Sequence, residues 1–433
     1  MQSCLPLFFA CTGNNDEANT TTGDNSSETS DAAKTDVDVS KLKIGVVLLH
    51  NETVGYDKNF IEAIERTIEQ LKLKDDQVVW KKDIPEDSKC YEACVDLAEQ
   101  GCNIIFADSF GHEENVIKAA EEYKDVQFFH ATGQNAKIKE LPNFHNAFAK
   151  IFEGRYLAGV VGGLKLNELI KDGKITAEQA KVGYIGAFPY AEVMSGYTSF
   201  FLGVRSVCES ATMEVVYTTS WADESKEKEA ATKLIEDGCV LISEHADTFG
   251  SPNACEEAAS KGKTVVHVGY NIDFTSAAPT TNLISSKIDW TPYFVDAFTK
   301  VAKGEAVDAD WCGDLKTGSV ILTEANDKTV TKEMMDKVAE VKADIESGKI
   351  KVFDTATFTV KDKATIEANA KNFVTAENFK TDDQGHLTSY TADAVADAKF
   401  TPDTEAIVDG VFAESTVRSA PYFNVIIDGI TVK

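Results

Sequence analysis

Six loops of this 433-residue chain each hold an aromatic side chain close to a carboxylate, an amide, a hydroxyl or an imidazole. The candidate site residues in these loops are Tyr56, Asp57, Phe60, Ser109, Phe110, Phe188, Glu192, His245, Asp247, Tyr270, Asn271 and Trp290. Aromatic faces can stack on a flat ring, and carboxylates or amides can bond to the polar edge of that ring. The loops therefore predict a site for a heteroaromatic ligand, although a sugar pocket would use the same residue types.

Most of these loops follow segments that have the composition of β-strands. The strand-like runs are residues 43–50, 77–83, 103–108 and 126–132, then 181–188, 213–219, 239–245 and 263–270. Helical patterns separate consecutive runs, which indicates βαβ units and parallel sheets. In such folds ligands bind beyond the carboxyl ends of the strands, so the sequence places the candidate residues where a ligand site is expected.

The alternation occurs in two series, so we expect two doubly wound parallel-sheet lobes joined by a hinge, the type I periplasmic-binding-protein fold. The expected organisation is a first lobe of residues 41–150 and about 273–310, a second lobe of 151–272 and about 311–350, and a C-terminal extension of 351–433 packed on the lobes. The part of the extension from 361 to about 400 is predicted to be an insertion. Small residues in the helical pattern at 151–172 indicate a buried helix that approaches a neighbour closely.

The N-terminal region predicts attachment to a membrane surface. Residues 1–11, MQSCLPLFFAC, resemble the end of a bacterial lipoprotein signal, in which the last cysteine, here Cys11, is lipidated. Residues 12–40 are acidic and almost free of large apolar side chains, so we expect a disordered tether. An ordinary frayed N-terminus is the alternative interpretation of the first segment.

Composition and motifs argue against several other classes of function. The net charge of −28 disfavours a nucleic-acid partner, because phosphate binding needs a basic surface. KGKT at 261–264 lacks the upstream glycine of a phosphate-binding loop, and neither a GxGxxG after the first strand nor a GxSxG is present. The histidines lack metal-ligand spacing. The sequence therefore predicts no catalytic residue, no metal and no cofactor.

Several separated segments, taken in order, resemble one branch of the basic membrane protein (BMP) family of ABC-transporter substrate-binding lipoproteins. They are YDKNF, NIIFADSFGH, IFEGRYLAGVVGGLKL, KVGYIGAFPYAEVMSGYTSFFLGVR, LISEHADT, HVGYN and ESTVRSAPYF. The resemblance implies a fold that closes on a purine nucleoside or nucleobase. It matches Phe60 to the stacking aromatic and Asp57 to the acidic residue beside it. It also matches the loops at 109–110, 245–247 and 270–271 to positions that line the cleft.

The expected function is capture of a purine nucleoside or nucleobase by an extracytoplasmic, lipid-anchored protein that delivers it to an ABC-transporter permease. Binding of a sugar in the same cleft is one alternative. Sensing a ligand and signalling to a membrane receptor is a second alternative, because the sequence does not distinguish delivery from signalling. A nucleoside hydrolase is a third, in which Asp57 or Asp247 would act as a general base.

Overall fold

Two largely parallel β-sheets form the framework of the computed structural model, which describes residues 38–360, 379–392 and 404–433. The predictions for Cys11, for residues 1–11, for most of the tether at 12–40 and for most of the insertion lie outside the described residues. The strands are β1 (Ile44–Val47), β2 (Val78–Lys81), β3 (Ile104–Ala107), β4 (Gln127–Ala131), β5 (Phe144–Ala149), β6 (Lys181–Gly186), β7 (Thr212–Tyr217), β8 (Leu241–His245), β9 (Val266–Tyr270), β10 (Asn282–Ile288), β11 (Asp310–Gly313), β12 (Val320–Leu322), β13 (Phe379–Thr381), β14 (Leu387–Tyr390), β15 (Ile407–Val408), β16 (Val411–Phe412) and β17 (Ile430–Val432).

The helices cover both faces of the sheets. They are α1 (Gly55–Leu71), α2 (Ser88–Glu99), α3 (Glu113–Glu122), α4 (Ala136–Lys139), α5 (Ile151–Lys171), α6 (Ala191–Val207), α7 (Glu224–Glu236), α8 (Gly250–Ser260), α9 (Thr291–Lys303) and α10 (Lys332–Glu346). Strands such as β1 and β3 consist of apolar residues that are buried throughout. Continuous burial is typical of parallel strands that carry helices on both sides.

Each sheet belongs to one lobe. The first lobe contains a parallel sheet in the order β11-β5-β4-β3-β1-β2, and the second contains a sheet in the order β12-β10-β9-β8-β6-β7-β17, in which only β12 is antiparallel to its neighbour. The predicted class of two α/β lobes is therefore confirmed. In both sheets the strand order reverses beside the first strand of the lobe, which opens a crevice at the carboxyl edge.

The chain crosses between the lobes three times within the described residues: from β5 to α5, from β10 to α9 and from β11 to β12. The predicted return to the first lobe at about residue 273 differs from the structure. Strand β10 pairs in parallel with β9 and stays in the second sheet, so the return follows Ile288. The link between β9 and β10 carries no helix, which is why the alternation alone did not reveal this strand.

The described part of the C-terminal extension consists of two short hairpins and a final strand. Strand β13 pairs with β14, β15 pairs with β16, and β17 joins the edge of the second sheet beside β7. A cluster of rings forms the interior of the extension: Phe353, Phe358, Tyr390, Phe412, Tyr422 and Phe423. The described part of the extension thus joins the second lobe through β17.

Helix α5 packs directly against α6 through glycines. A Cβ atom on Gly159 would lie 2.0 Å from the carbonyl oxygen of Phe200, and one on Gly203 would lie 2.0 Å from that of Tyr156. Such distances leave no space for any side chain, so these glycines permit the close approach of the two backbones. In the part of the chain that the structure describes, no helix has both the length and the apolar character needed to cross a bilayer.

We expect Gly159→Ala to lower the free energy of unfolding by about 1–3 kcal/mol, because the added methyl meets a fixed backbone carbonyl. Gly162→Ala is the matched control in the same helix. Its Cβ would meet the side chain of Leu241, nearest at Cδ2 at 2.7 Å, and the end of a leucine side chain can move. Alanine also gains about 0.5–1 kcal/mol over glycine within a helix. Urea denaturation measures both variants, and equal losses would contradict the role given to Gly159.

Candidate functional site

A cavity with an empty volume of about 420 Å³ lies between the lobes, at the carboxyl ends of the strands of both sheets. Its walls come from the ends of β8 and β9 and from the loops and helix starts that follow β1, β3, β4, β6, β7 and β8. The lining residues are Leu49, His50, Tyr56, Asp57, Ser109, Phe110, Thr132, Glu192, Trp221, His245, Asp247 and Tyr270. Eight of the twelve residues predicted from the sequence are among them, and the two lobes thus bring these side chains together.

Asp57 forms part of the first-lobe wall and is held by the loop before it. The residue lies in the first turn of α1 and is completely buried. The backbone N–H of His50 donates to its Oδ1 at 2.6 Å, and Nδ1 of His50 lies 3.4 Å from its Oδ2. The hydrogen bond with Asp57 raises the pKa of His50 above its usual value. The loop between β1 and α1 is therefore fixed by one carboxylate.

A second carboxyl group, Asp108, lies beside Asp57 at the end of β3. The backbone N–H of Leu49 donates to its Oδ1 at 3.0 Å, and the hydroxyl of Tyr56 donates to its backbone oxygen at 2.8 Å. Burial raises the pKa of Asp108 well above its usual range, and the charge of Asp57 adds to the shift. The raised pKa favours the neutral form of Asp108, which adds no negative charge beside the cavity.

On the opposite wall, His245 positions the carboxylate of Glu192. Nε2 of His245 lies 3.3 Å from Oε1 of Glu192. Burial lowers the pKa of His245 to about 4, and the positive charge of Arg155 contributes in the same direction. A neutral His245 that carries its proton on Nε2 donates to Glu192, which keeps the carboxylate oriented as an acceptor.

Arg155 lies behind this wall and does not line the cavity. Its guanidinium group is centred 3.6 Å from the ring of Tyr270 and donates from Nη1 to the backbone oxygen of Glu244 at 2.9 Å. The stacking fixes the plane of the Tyr270 ring. Among the described residues that line the cavity there is no lysine or arginine. The cavity walls are consequently aromatic and acidic.

Asp247 connects the lobes through its backbone and turns its carboxyl group to the cavity. Its amide donates to the backbone oxygen of Trp221 at 2.9 Å, and its carbonyl accepts the N–H of Gly55 from the first lobe at 3.1 Å. The carboxyl group makes no hydrogen bond to any residue that the structure describes. Burial, followed by the charges of Glu227 and Asp57, raises the pKa of Asp247 well above its usual range. This group is available to a ligand.

Aromatic rings from both lobes meet at one side of the cavity. Phe110 of the first lobe lies 5.7 Å from Tyr190 of the second, measured between ring centroids. Phe188 stacks on Tyr190 at 5.2 Å and contacts Trp221 edge-on at 5.3 Å. Tyr190 is 40% exposed, so the cluster reaches the surface. These contacts close that side of the cavity in the arrangement observed.

Phe60 and Trp290, which the sequence predicted as ligand platforms, do not line the cavity. Both side chains are buried, and their rings stack on one another at 4.7 Å within the core of the first lobe. Phe60 lies three residues after Asp57, on the face of α1 that packs inward, and Phe106 is a further neighbour at 5.3 Å. The stacking role that the resemblance implied for Phe60 does not fit this structure.

The other two predicted residues outside the lining are Phe188 and Asn271. Phe188 belongs to the aromatic cluster, where it supports Trp221 from behind. Asn271 is buried with a φ of 65°, and its backbone N–H donates to the backbone oxygen of Ser286 at 2.8 Å. Its left-handed backbone conformation turns the chain at the end of β9, so Asn271 has a structural role next to Tyr270.

Four lining residues were missed from the sequence: Leu49, His50, Thr132 and Trp221. Leu49 and His50 end the first strand-like run, and Thr132 ends the fourth. Trp221 lies in TTSWADES, which follows β7 and places an aromatic beside an acidic residue. The strand-end rule would have found Thr132 and Trp221 had it been applied to every strand of both sheets.

Residues 44–356 match the family described as ABC transporter substrate-binding protein, PnrA-like (Bmp). The chain belongs to this family. Its members are substrate-binding proteins, which act outside the cytoplasm and present a small solute to the permease of an ABC transporter. The expectation drawn from the separated sequence segments is thereby confirmed at the level of the family.

Among relatives of this Bmp-family chain, a purine-binding protein of Brucella abortus is 29% identical over 314 residues, which are 72% of this chain and 83% of that protein. A Haloferax volcanii protein provisionally named an ABC transporter glucose-binding protein is 31% identical over 262 residues, 60% of this chain and 61% of that protein. The two relatives carry names that point to different ligands.

Solved structures show the same fold. A solute-binding protein of an ABC transporter system from Aeropyrum pernix superposes with a TM-score of 0.61 at 18% identity, covering 76% of this chain and 96% of that one. One from Conexibacter woesei gives 0.56 at 19% identity, covering 72% and 98%. The predicted type I periplasmic-binding-protein fold is confirmed.

We expect His50→Gln to lower the free energy of unfolding more at about pH 5.5 than at about pH 8.5. A histidine pKa that is raised in the folded protein contributes stability that is complete below the unfolded value of about 6.5 and is lost as the pH rises through the folded value. Because the side chain of His50 is 36% exposed, the difference should stay below about 1 kcal/mol.

Urea denaturation of the wild type and the variant at both pH values measures this difference. His386→Gln is the matched control, since His386 pairs at 3.2 Å with Asp382, whose side chain is 42% exposed, whereas Asp57 is completely buried. An exposed pair contributes little. The same pH dependence in both variants would show that Asp57 does not hold His50.

Proposed function

We propose that this Bmp-family protein captures a purine nucleoside or nucleobase in the cavity between its lobes and passes it, chemically unchanged, to an ABC permease. The observation that carries the proposal is the convergence of aromatic rings and carboxyl groups from both lobes on one cavity. The name of the Brucella abortus relative, a purine-binding protein, supports the same class of ligand.

The aromatic part of the cavity suits a flat ring. Tyr56 and Phe110 come from the first lobe, and Trp221 and Tyr270 come from the second. A base placed between such faces gains about 1–3 kcal/mol from each stacking partner. Closure of the lobes would place a ring between opposed aromatic faces.

The polar part of the cavity suits a ligand with several hydrogen-bond donors. Asp57, Glu192 and Asp247 present carboxyl oxygens, which accept from ribose hydroxyls and from ring N–H groups. Because the described lining holds no lysine or arginine, a phosphate group would enter an acidic site without a cationic partner. The proposed ligand is therefore a nucleoside or free base rather than a nucleotide.

Binding without catalysis fits the way the carboxyl groups are held. Both oxygens of Asp57 face groups of His50, so this carboxylate holds the wall and offers its remaining lone pairs to a ligand. Burial raises the pKa of Asp247, which favours its neutral form, and a neutral carboxyl can both donate to a ligand and accept from it. Attachment of the protein to the membrane through Cys11 is part of the proposal and concerns a residue outside the described part.

A sugar is the second candidate, and two observations favour it. The Haloferax volcanii relative carries the name of a glucose-binding protein. Trp221 together with Asp57 and Glu192 also offers the mixture of a ring face and acceptor oxygens that a pyranose would use. The two candidate ligands differ in their faces: both faces of a purine ring are apolar, and those of a pyranose are not.

Thermal unfolding of the full chain with a ligand panel tests the proposed function. The panel holds adenine, guanine, adenosine, guanosine, inosine, adenosine monophosphate, ribose and glucose. A ligand at a hundred times its Kd should stabilise by about 2.7 kcal/mol. We expect shifts of the melting temperature with purines and none with the monophosphate, ribose or glucose. A shift with glucose alone would favour the second candidate, and release of free base from a nucleoside, measured by chromatography, would contradict binding without catalysis.

Two aromatic substitutions separate a ligand contact from a core residue. We expect Trp221→Ala to weaken purine affinity by about 1–3 kcal/mol, because a stacking face is lost. Phe60→Ala should instead lower the free energy of unfolding by about 3–5 kcal/mol, since it leaves a cavity in the hydrophobic core of the first lobe. Isothermal calorimetry and urea denaturation measure the two effects.

Trp80→Ala is the control for removal of a half-buried tryptophan that does not line the cavity, in β2. It should leave purine affinity unchanged. Equal affinities for the Trp221→Ala variant and the wild type would remove Trp221 from the binding site.

A further inference from the structure

The last twenty residues of the chain, 414–433, form a segment that we call the strap, and its first anchor is on the first lobe. The backbone N–H of Ser419 donates to Oδ2 of Asp310 on β11 at 2.7 Å, and the Ser419 hydroxyl donates to the same carboxylate. The side-chain amide of Asn146 on β5 donates to Oγ of Ser419 at 3.0 Å. Ser419 and Asn146 are 1% exposed, and the Asp310 side chain is 4% exposed. These are charge-assisted hydrogen bonds in a buried site.

A lysine on the surface of the first lobe adds to this anchor. Nζ of Lys137, on α4, donates to the backbone oxygen of Val417 at 2.7 Å and lies 3.6 Å from Oδ2 of Asp310. The Lys137 side chain is 48% exposed, so its contribution is smaller than that of the buried serine.

The second anchor is on the second lobe and consists of backbone pairing. Strand β17 pairs in parallel with β7, with Ile430 opposite Met213 and Val432 opposite Val215. The ammonium group of Lys433 lies 2.5 Å from Glu214 and 2.9 Å from Asp237. The strap therefore becomes an edge strand of the second sheet while its start is bonded to the first.

The segment between the anchors is packed and not loose. The backbone amides of Tyr422 and Phe423 donate to the buried carboxylate of Glu414 at 2.7 Å and 3.0 Å. Phe423 stacks on Phe353 at 4.7 Å, and Phe353 contacts Phe152 at 5.3 Å. Phe152 lies in the first turn of α5, directly after a crossover between the lobes. The strap thus lies over the hinge.

We infer that the strap is a latch that restrains separation of the two lobes. The chain already crosses between the lobes at three places within the described residues, and the strap adds a non-covalent connection beside them. Opening of the cavity breaks the weaker anchor, which is the side-chain cluster around Ser419, while β17 stays in its sheet. The consequence for ligand retention rests on the proposed function, whereas the latch itself does not.

Hydrogen exchange in the ligand-free full chain tests the latch. The N–H of Gly55 donates to the carbonyl of Asp247 across the cavity, so the exchange rate of this amide reports how often the lobes separate. We expect Ser419→Ala to raise that rate about tenfold, because the hydrogen bonds of Ser419 are buried. Lys137→Ala should raise it about two- to threefold, because the hydrogen bond of Lys137 is exposed. The amide of Ile64, inside α1, should exchange at the wild-type rate.

Two controls remove similar bonds or charges without touching the first anchor. Thr359→Val deletes a hydroxyl that donates to Asp428 at 2.6 Å within the extension. Lys139→Ala removes an exposed lysine from the same short helix as Lys137. Neither substitution should change the exchange of Gly55.

Unchanged exchange of Gly55 in both Ser419→Ala and Lys137→Ala, or an equal rise in the controls, would overturn the latch. If Ser419→Ala also speeds exchange at Ile64, that substitution has weakened the whole fold. The test then rests on Lys137→Ala, a surface substitution, and on whether it speeds the exchange of Gly55 but not that of Ile64. No ligand is present in this experiment. A ligand panel without purine shifts would therefore overturn the proposed function and leave the latch standing, and the converse also holds.

Discussion

Burial of opposed carboxyl groups on the two walls of one cavity is the constraint on which the rest of the site depends. Asp57 and Asp108 lie on the first lobe, and Glu192 and Asp247 lie on the second. Closing the lobes excludes water from these groups, and burial raises the pKa of Asp108 and of Asp247, with the charge of Asp57 adding to both shifts. A ligand that supplies donors to these groups favours the closed arrangement over the open one. Binding and closure are coupled for that reason.

Helix packing sets the electrostatics of the second wall. The glycines that let α5 and α6 approach closely fix the position of Arg155, whose charge helps to keep His245 neutral. Gly196 on α6 leaves room for the imidazole, because a Cβ there would lie 2.8 Å from Nδ1 of His245. A neutral imidazole donates to Glu192. A feature that the sequence shows only as a row of small residues thus determines how a carboxylate faces the cavity.

The fold and most of the cavity could be predicted because the carboxyl ends of parallel strands converge. The direction of a ring at the start of a helix could not be predicted. Asp57 and Phe60 are three residues apart, yet one faces the cavity and the other the core. The pairing of Asp108 with the Leu49 amide depends on the register of β1 against β3, which places Val47 opposite Ala107. The register of β1 against β3 cannot be predicted from residue types and spacing.

The family match spans residues 44–356, which hold most of the two lobes and the cavity, and the strap follows that range along the chain. A binding protein must open to exchange its ligand, and a permanent fourth connection would prevent exchange. The side-chain cluster around Ser419 is a more suitable breaking point than the paired strand β17, because it involves a few hydrogen bonds. A latch of this strength raises the population of the closed arrangement before the ligand arrives. The apparent affinity then depends on the strap as well as on the groups that touch the ligand.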